Sequence, residues 1–271
     1  MQVIEIHQPH DPRIQPYREV RERDLVGRQG RFIAEGEVVL RHLIDPATRF
    51  VPESLLIASH RLDGARAWLS VVGEDVPVYS APQPVMDAIA GFPLHRGLLG
   101  IGLRGPEPEP DALLGSLGPD ARVLALMGIG NHDNMGGLFR NAAAFGAGAV
   151  LMDSHCCDPL YRKAIRVSVG AALRVPFARM DGEAMLTSLR AHGFEVLALS
   201  PSGAEVLADV RARGRCALLL GSEGPGLRPE VLARTRTVRI PMSGGFDSLN
   251  VAVTGALALH QLALHQLARR G

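Results

Sequence analysis

Lysine is almost missing from this 271-residue chain: Lys163 stands alone against 28 arginines. An excess of one charge sign is missing too, because 29 cations face 28 acids for a formal net charge of +1. A uniform basic field, the usual mark of a nucleic-acid binder, is therefore excluded. The arginine bias is read first as a product of genomic base composition, yet guanidinium grips phosphate and stacks on bases, so an RNA partner stays open. Cysteine is scarce, at Cys156, Cys157 and Cys216. Three thiols in a chain of this length exclude a disulfide framework and point to a reducing, cytoplasmic setting. "SHCCDP" sets His155 beside two of them. Neighbours in an extended segment face opposite ways, however, and no second ligand pair follows at a zinc-like spacing, so no metal is expected. No apolar run approaches the roughly 18 residues of a membrane span. "MQVIEIHQPHDPR" lacks the charged-then-apolar pattern of a secretory leader.

What is present is ordinary globular material, 46% hydrophobic and 21% charged, long enough for one large domain or two of common size. Prolines alternating with acids in "RGPEPEPDALLGSLGPDA" mark a seam, placed as a linker over 105–120. Ahead of it, residues 1–104 alternate short apolar runs and helical spacings, predicting a small α/β domain. There "FIAEGEVVLRHLI" reads as helix, "SLLIAS", "VPVYSA" and "GLLGIGL" as strands, and "ARAWLSVVG" and "QPVMDAIAG" as helices. Arginines 13, 18, 21, 23, 28 and 31 interleave with five acids. They form either a solvated, salt-bridged face or an RNA-facing arm.

After the seam, "RVLALMGI", "GAVLM", "FEVLALS", "CALLLG" and "TVRIPM" are continuous apolar runs suited to strands covered on both faces. The segments between them, "MGGLFRNAAAFG", "YRKAIRVSVGAAL", "GEAMLTSLRAHG", "GAEVLADVRARG" and "RPEVLAR", read as helices. The expectation for 121–271 is an α/β domain with a mainly parallel sheet and helices on both faces.

Ligands of such sheets sit at the carboxyl ends of strands. Three strand ends in this chain carry unusual residues. "GIGNHDNMGGLFRNAAAFG" has Asn134, able to cap a helix, and Gly136 and Gly137, each costing about 1 kcal/mol in a helix relative to Ala. Arg140 follows on a helix of small and apolar residues, either paired or meeting a phosphate. "LLLGSEGPGLRPE" is a glycine-rich turn with one acid, Glu223, and matches neither a P-loop nor the dinucleotide fingerprint. "FDSLNVAV" starts a long apolar helix with Ser248, a candidate cap, and Asn250, whose amide needs partners among apolar neighbours. His132 reads as a solvent-facing loop residue.

In this order the three stretches resemble the motifs of the SpoU family of RNA ribose methyltransferases in the SPOUT superfamily. Asn134, Gly136 and Arg140 match its first element. Gly221, Glu223, Gly224 and Gly226 match its second, and Ile240 through Val251 its third. "DPLYRKAIRVSVGA", with Arg166, Ser168 and Gly170, resembles a further family segment, and "FIAEGEVVL" the substrate-binding domain that often precedes it. The resemblance implies a deep C-terminal trefoil knot and a homodimer. It implies methyl transfer from S-adenosylmethionine to the ribose 2′-hydroxyl of structured RNA, tRNA or rRNA. It further implies that Arg140 handles the hydroxyl and Asn134 orients Arg140. Ser248 and Asn250 would bind substrate or fix Arg140 and the cofactor loop, with Glu223 as an anchor. Groups around Leu220, Gly221, Gly224, Ile240, Met242 and Leu249 would hold the cofactor. The alternative is a catalytically silent RNA-binding protein on the same fold.

Overall fold

Glycine placement decides where the predicted helices and strands begin and end. The computed structural model describes residues 2–18, 22–90, 96–212, 214–244 and 247–268. The chain divides into two units, Met1–Pro106 with Leu160–Arg174, and Glu107–Pro159 with Val175–Gly271.

The first unit is built on a five-stranded mixed sheet of β1 (Val3–Glu5), β2 (Arg31–Glu35), β3 (Val51–Ala58), β4 (Val78–Ala81) and β5 (Leu98–Leu103), in the order β1-β4-β3-β5-β2. β5 runs antiparallel to β2 and β3, and the other pairings are parallel. The stretch "FIAEGEVVLRHLI" is not one helix. Gly36, at φ 94°, breaks it into β2 and a helix over Glu37–Leu43. A side chain is strained at that φ, so the chain turns where glycine stands. β1, too short to show a period, leaves no mark in the sequence pattern. Two arginines of the opening run, Arg13 and Arg31, are held by acids, and the Arg18 Nη1 lies 2.8 Å from the His10 Nδ1. Arg13 holds Asp11 through Nε and Nη2 at 2.9 and 2.6 Å, and Arg31 holds Glu53 at 2.7 and 2.6 Å. The Arg13 contact keeps the Asp11 carboxyl down at about 2. Arg21 and the side chain of Arg23 lie outside the described residues.

The second unit holds a seven-stranded sheet of β6 (Arg122–Leu126), β7 (Ala149–Met152), β8 (Phe177–Arg179), β9 (Glu195–Leu199), β10 (Glu205–Val206), β11 (Cys216–Leu220) and β12 (Arg236–Arg239). Its order is β10-β12-β9-β11-β6-β7-β8, and every pairing is parallel. The central strands β7 and β11 are buried throughout and β6 from Val123 on, as their apolar runs require. One face carries a core of Val123, Ala125, Ala217 and Leu219 against Met185, Leu186 and Leu189 of the helix Gly182–Ala191. Towards the other face the helices His132–Ala144 and Val251–Ala268 pack closely. Gly137 makes that approach possible: a Cβ there would lie 2.9 Å from the Ala252 Cβ.

Three further predicted elements differ. Residues 105–120 include a helix, Pro110–Gly115, whose first turn the Glu109 carboxylate caps by accepting from the Ala112 N–H at 2.8 Å. Proline is tolerated there because a first-turn N–H has no intrahelical partner. "GAEVLADVRARG" forms β10 and a short 3-10 turn, Leu207–Asp209, rather than a helix. The chain there lies flat on β12: a Cβ on Gly203 would come within 2.4 Å of the Val238 carbonyl carbon. "YRKAIRVSVGAAL" is α-helical only over Arg162–Val167, because Val169 and Gly170 take left-handed φ values of 54° and 80°, and a 3-10 turn follows over Ala171–Leu173.

Among the described residues no helix is long and apolar enough to cross a membrane. Of the "SHCCDP" thiols, Cys156 is hydrogen-bonded within the fold. The Cys156 Sγ accepts from the Ile129 N–H at 3.3 Å and donates to the Leu126 carbonyl at 3.4 Å. Burial pushes both Cys156 and Cys157 up to about 12, so neither is a thiolate at neutral pH.

Candidate active site

Parallel strands deliver their carboxyl ends to one edge, and three of them open a cavity of about 380 Å³ in the second unit. Leu199 and Ser200 leave β9 into its wall, Leu220 and Gly221 leave β11, and Ile240 follows β12. Of the groups expected to hold a cofactor, Leu220, Gly221, Gly224, Ile240, Met242 and Leu249 all line it. Glu223, Ser248 and Asn250 line it as well. The volume falls within the roughly 300–1,000 Å³ range of small-molecule sites.

The second glycine-rich turn shapes one wall. The Gly226 N–H donates to the Ser222 carbonyl at 3.1 Å, and Gly224 and Gly226 take φ values of 88° and 70°. Gly221 is required by contact: a Cβ would sit 2.4 Å from the Gly226 carbonyl carbon and 2.5 Å from the Leu227 nitrogen. The turn thus closes on itself with backbone N–H and C=O groups at the cavity, which suits recognition through the main chain.

One run of hydrogen bonds joins the three turns. Asn134 is buried, and its Nδ2 donates to the Glu223 Oε1 at 2.6 Å. Its Oδ1 accepts from the Asn250 Nδ2 at 2.8 Å. The Asn250 Oδ1 in turn accepts from the N–H groups of Ala252 and Val253, at 2.9 and 3.2 Å. Asn250 therefore caps the helix Val251–Ala268 and ties it to the first turn. Ser248, a capping candidate by sequence, lines the cavity instead. Asn134 is not a cap either, since Asn131 takes that place by accepting from the Asp133 N–H at 2.7 Å. The helix that follows is pinned a second time, where the Asn141 Nδ2 donates to the Ala252 carbonyl at 2.8 Å.

Arg140 stands apart from this run. It is exposed, does not line the cavity, and makes no hydrogen bond or ion pair with another described residue. Asn134 makes no hydrogen bond to Arg140; its amide bonds Glu223 and Asn250 instead. Sequence reasoning also passed over Ser200, Pro201 and Thr254, which line the cavity. "LALSPSG" gives a signal for the first two, a strand ending in small polar residues on the sheet's ligand-binding edge.

Residues 121–260 match the model of the SpoU rRNA Methylase family. The chain belongs to that family. It is 40% identical, over 96% of its own length and 92% of the relative's, to an uncharacterized tRNA/rRNA methyltransferase of Mycobacterium bovis. Among solved structures it is similar to an AdoMet-bound rRNA methyltransferase from Sinorhizobium meliloti, with a TM-score of 0.79 and 23% identity over 97% of this chain and 98% of that one. It is also similar to an RNA 2′-O ribose methyltransferase, with a TM-score of 0.76 and 25% identity over 97% of this chain and 100% of that one. The SpoU match spans all three turns around the cavity.

Proposed function

We propose that this SpoU-family chain transfers a methyl group from S-adenosylmethionine to the ribose 2′-hydroxyl of a nucleotide in structured RNA. The observation that carries the reading is the hydrogen-bonded run Glu223–Asn134–Asn250, which joins all three motif turns beside one cavity. The residues present fit the cofactor. Leu220, Ile240 and Leu249 offer apolar surface, and the turn at 221–226 offers main-chain groups.

S-adenosylmethionine supplies an activated methyl on a sulfonium centre, so the chain's own task is alignment and removal of a proton. Arginine does not deprotonate in proteins and is no base. Arg140 binds the phosphate next to the target ribose and polarises the hydroxyl, whose proton leaves to phosphate or water. Ser248 and Asn250, at the cavity's edge, orient the ribose. Glu223 acts as a positioning residue, holding the glycine turn through Asn134.

An arginine outside its own cavity suits a homodimer in which the Arg140 of one chain reaches the cavity of the other. The helix Val251–Ala268 supplies a surface for such pairing: Val253, Leu257 and Leu264 are 49%, 43% and 46% exposed, at spacings that keep them near one face.

The test is transfer of labelled methyl to separated tRNA and rRNA fractions, beside titration with S-adenosylhomocysteine. Label in one fraction, with saturable binding of S-adenosylhomocysteine, supports the reading and names the RNA class. Neither label nor binding in either fraction refutes it and favours the silent RNA-binder.

A further inference from the structure

A second cavity, of about 410 Å³, lies wholly within the first unit, and three arginines line it: Arg61, Arg96 and Arg166. They come from distant parts of the chain, and each is exposed. None makes a hydrogen bond or ion pair with another described residue, which sets them apart from Arg13 and Arg31 in the same unit. Two acids share the cavity wall, Glu35 and Glu37, but both are already engaged. Arg162 Nε donates to Glu35 at 3.0 Å, and Arg41 Nη2 donates to Glu37 at 2.7 Å. The two carboxylates each hold an arginine that does not line the cavity, whereas Arg61, Arg96 and Arg166 have no such partner and remain open to an anion.

The remaining wall shows what kind of anion fits. Val38 and Val169 line the same cavity and are 50% and 39% exposed. Val169 is also the single non-glycine residue at positive φ among the described residues, at 54°. A β-branched side chain is strained in that region, and strain of this kind gathers at ligand sites. Gly36 meets the arginines from the other side. A Cβ there would lie 3.0 Å from Arg96 Nη1, so glycine leaves the guanidinium room to lie against the chain. Cationic forks beside exposed apolar surface match a nucleotide chain, with phosphates on the arginines and sugar or base faces on the valines. A bare small anion would leave the valines unused.

We infer that Arg61, Arg96 and Arg166 form a phosphate-binding subsite for the backbone of the RNA substrate. The inference rests on the methyltransferase reading for the identity of the RNA, but not for the existence of the subsite. It places an RNA grip outside the opening arginine run, in which Arg13 and Arg31 are held by acids.

The test uses the full chain. Binding of total tRNA and of total rRNA is measured by fluorescence anisotropy at several salt concentrations. Wild type is compared with Arg61→Gln, Arg96→Gln, Arg166→Gln, the triple variant, and Arg66→Gln as a control whose arginine pairs with Asp63. All four positions are exposed, so the fold should survive substitution. Each single variant is expected to weaken RNA binding by about fivefold to tenfold near 0.1 M salt. The slope of log affinity against log salt should fall by about 0.7–0.9 per arginine. The control should bind as wild type, and S-adenosylhomocysteine affinity should be unchanged in every variant. A triple variant that keeps the wild-type affinity and slope for both RNA classes overturns the subsite. Inorganic phosphate that occupies the arginines without weakening RNA binding makes it a small-anion site and also overturns the inference. If the methyltransferase reading alone is wrong, S-adenosylhomocysteine fails to bind wild type while the arginine-dependent RNA binding persists.

Discussion

Arg140→Ala is expected to lower methyl transfer by at least about 100-fold, the range lost when a single group that stabilises charge or assists proton transfer is removed. Stability should hardly change. The side chain is exposed and makes no hydrogen bond or ion pair with another described residue, and substitutions of that kind usually stay within about 0.5 kcal/mol. S-adenosylhomocysteine affinity should also be preserved, because the proposed contact of Arg140 is with the RNA phosphate rather than the cofactor, and Arg140 does not line its own chain's cavity. The combination is the useful readout: a folded protein that binds cofactor and does not transfer. A Lys in its place keeps the charge but loses the planar fork, so Arg140→Lys should recover only a small part of the rate. Mixing then tests the pairing of subunits. Arg140→Ala and Asn134→Ala chains, co-expressed, form heterodimers in which one cavity of the two has an intact Asn134 and an intact Arg140 from its partner. Random pairing then returns about a quarter of the wild-type rate. Recovery no greater than the sum of the single variants assigns Arg140 to its own chain's reaction and removes the shared site.

Asn134→Ala should damage both stability and cofactor binding. It deletes the donor to Glu223 and the acceptor for Asn250 at once. A net loss of about 2 kcal/mol is expected from the two bonds, discounted because Glu223 is exposed and regains water. For a protein of this size that corresponds to a melting temperature lower by roughly 4–8 °C. S-adenosylhomocysteine affinity should fall at least about tenfold, since the turn carrying Glu223 loses its tie to the first helix. Asn134→Asp is the sharper variant. Its size is nearly unchanged, but it sets a carboxylate where an N–H faced Glu223, so the like charges should weaken binding beyond the alanine variant. A double-mutant cycle of Asn134→Ala with Asn250→Ala measures the tie directly. A coupling of more than about 0.5 kcal/mol is expected, and strict additivity would mean that the two amides act independently. Asn250→Ala alone also removes the helix cap, at a cost of about 1 kcal/mol.

The two residues show how far the sequence could be read. Four strands of the second unit, β6, β7, β9 and β11, are legible because burial on both faces leaves only apolar residues after the first position, whereas β12 is buried only at Val238. β8 and β10, three and two residues long, are too short to register a period, and β10 was hidden inside a stretch with helical spacing. Gly36 shows in the sequence as a residue but not as a positive φ, so the helical spacing around it hides β2. The candidate site was legible as three glycine-rich strand ends, and all six residues expected around the cofactor line one cavity. What joins them was not legible. Asn134 bonds Glu223 across 89 positions and Asn250 across 116, separations that no local rule reaches. Which asparagine caps which helix was equally hidden, because capping depends on where the first turn starts, and a shift of three residues moves that role from Asn134 to Asn131. The arginines of the second cavity escaped notice for the same reason. Arg61, Arg96 and Arg166 look like any others among 28 until the fold collects them.

The central claim is that the methyl group goes to a ribose oxygen. Its most direct test is to incubate RNA with the enzyme and isotope-labelled S-adenosylmethionine, digest the product to nucleosides, and separate them by chromatography with mass detection. The label is expected in a 2′-O-methylnucleoside, with the added mass on the sugar fragment, and should disappear with Arg140→Ala. Label found on a base fragment would contradict the claim, since the roles of Arg140, Ser248 and Asn250 all require a ribose hydroxyl at the cavity's edge.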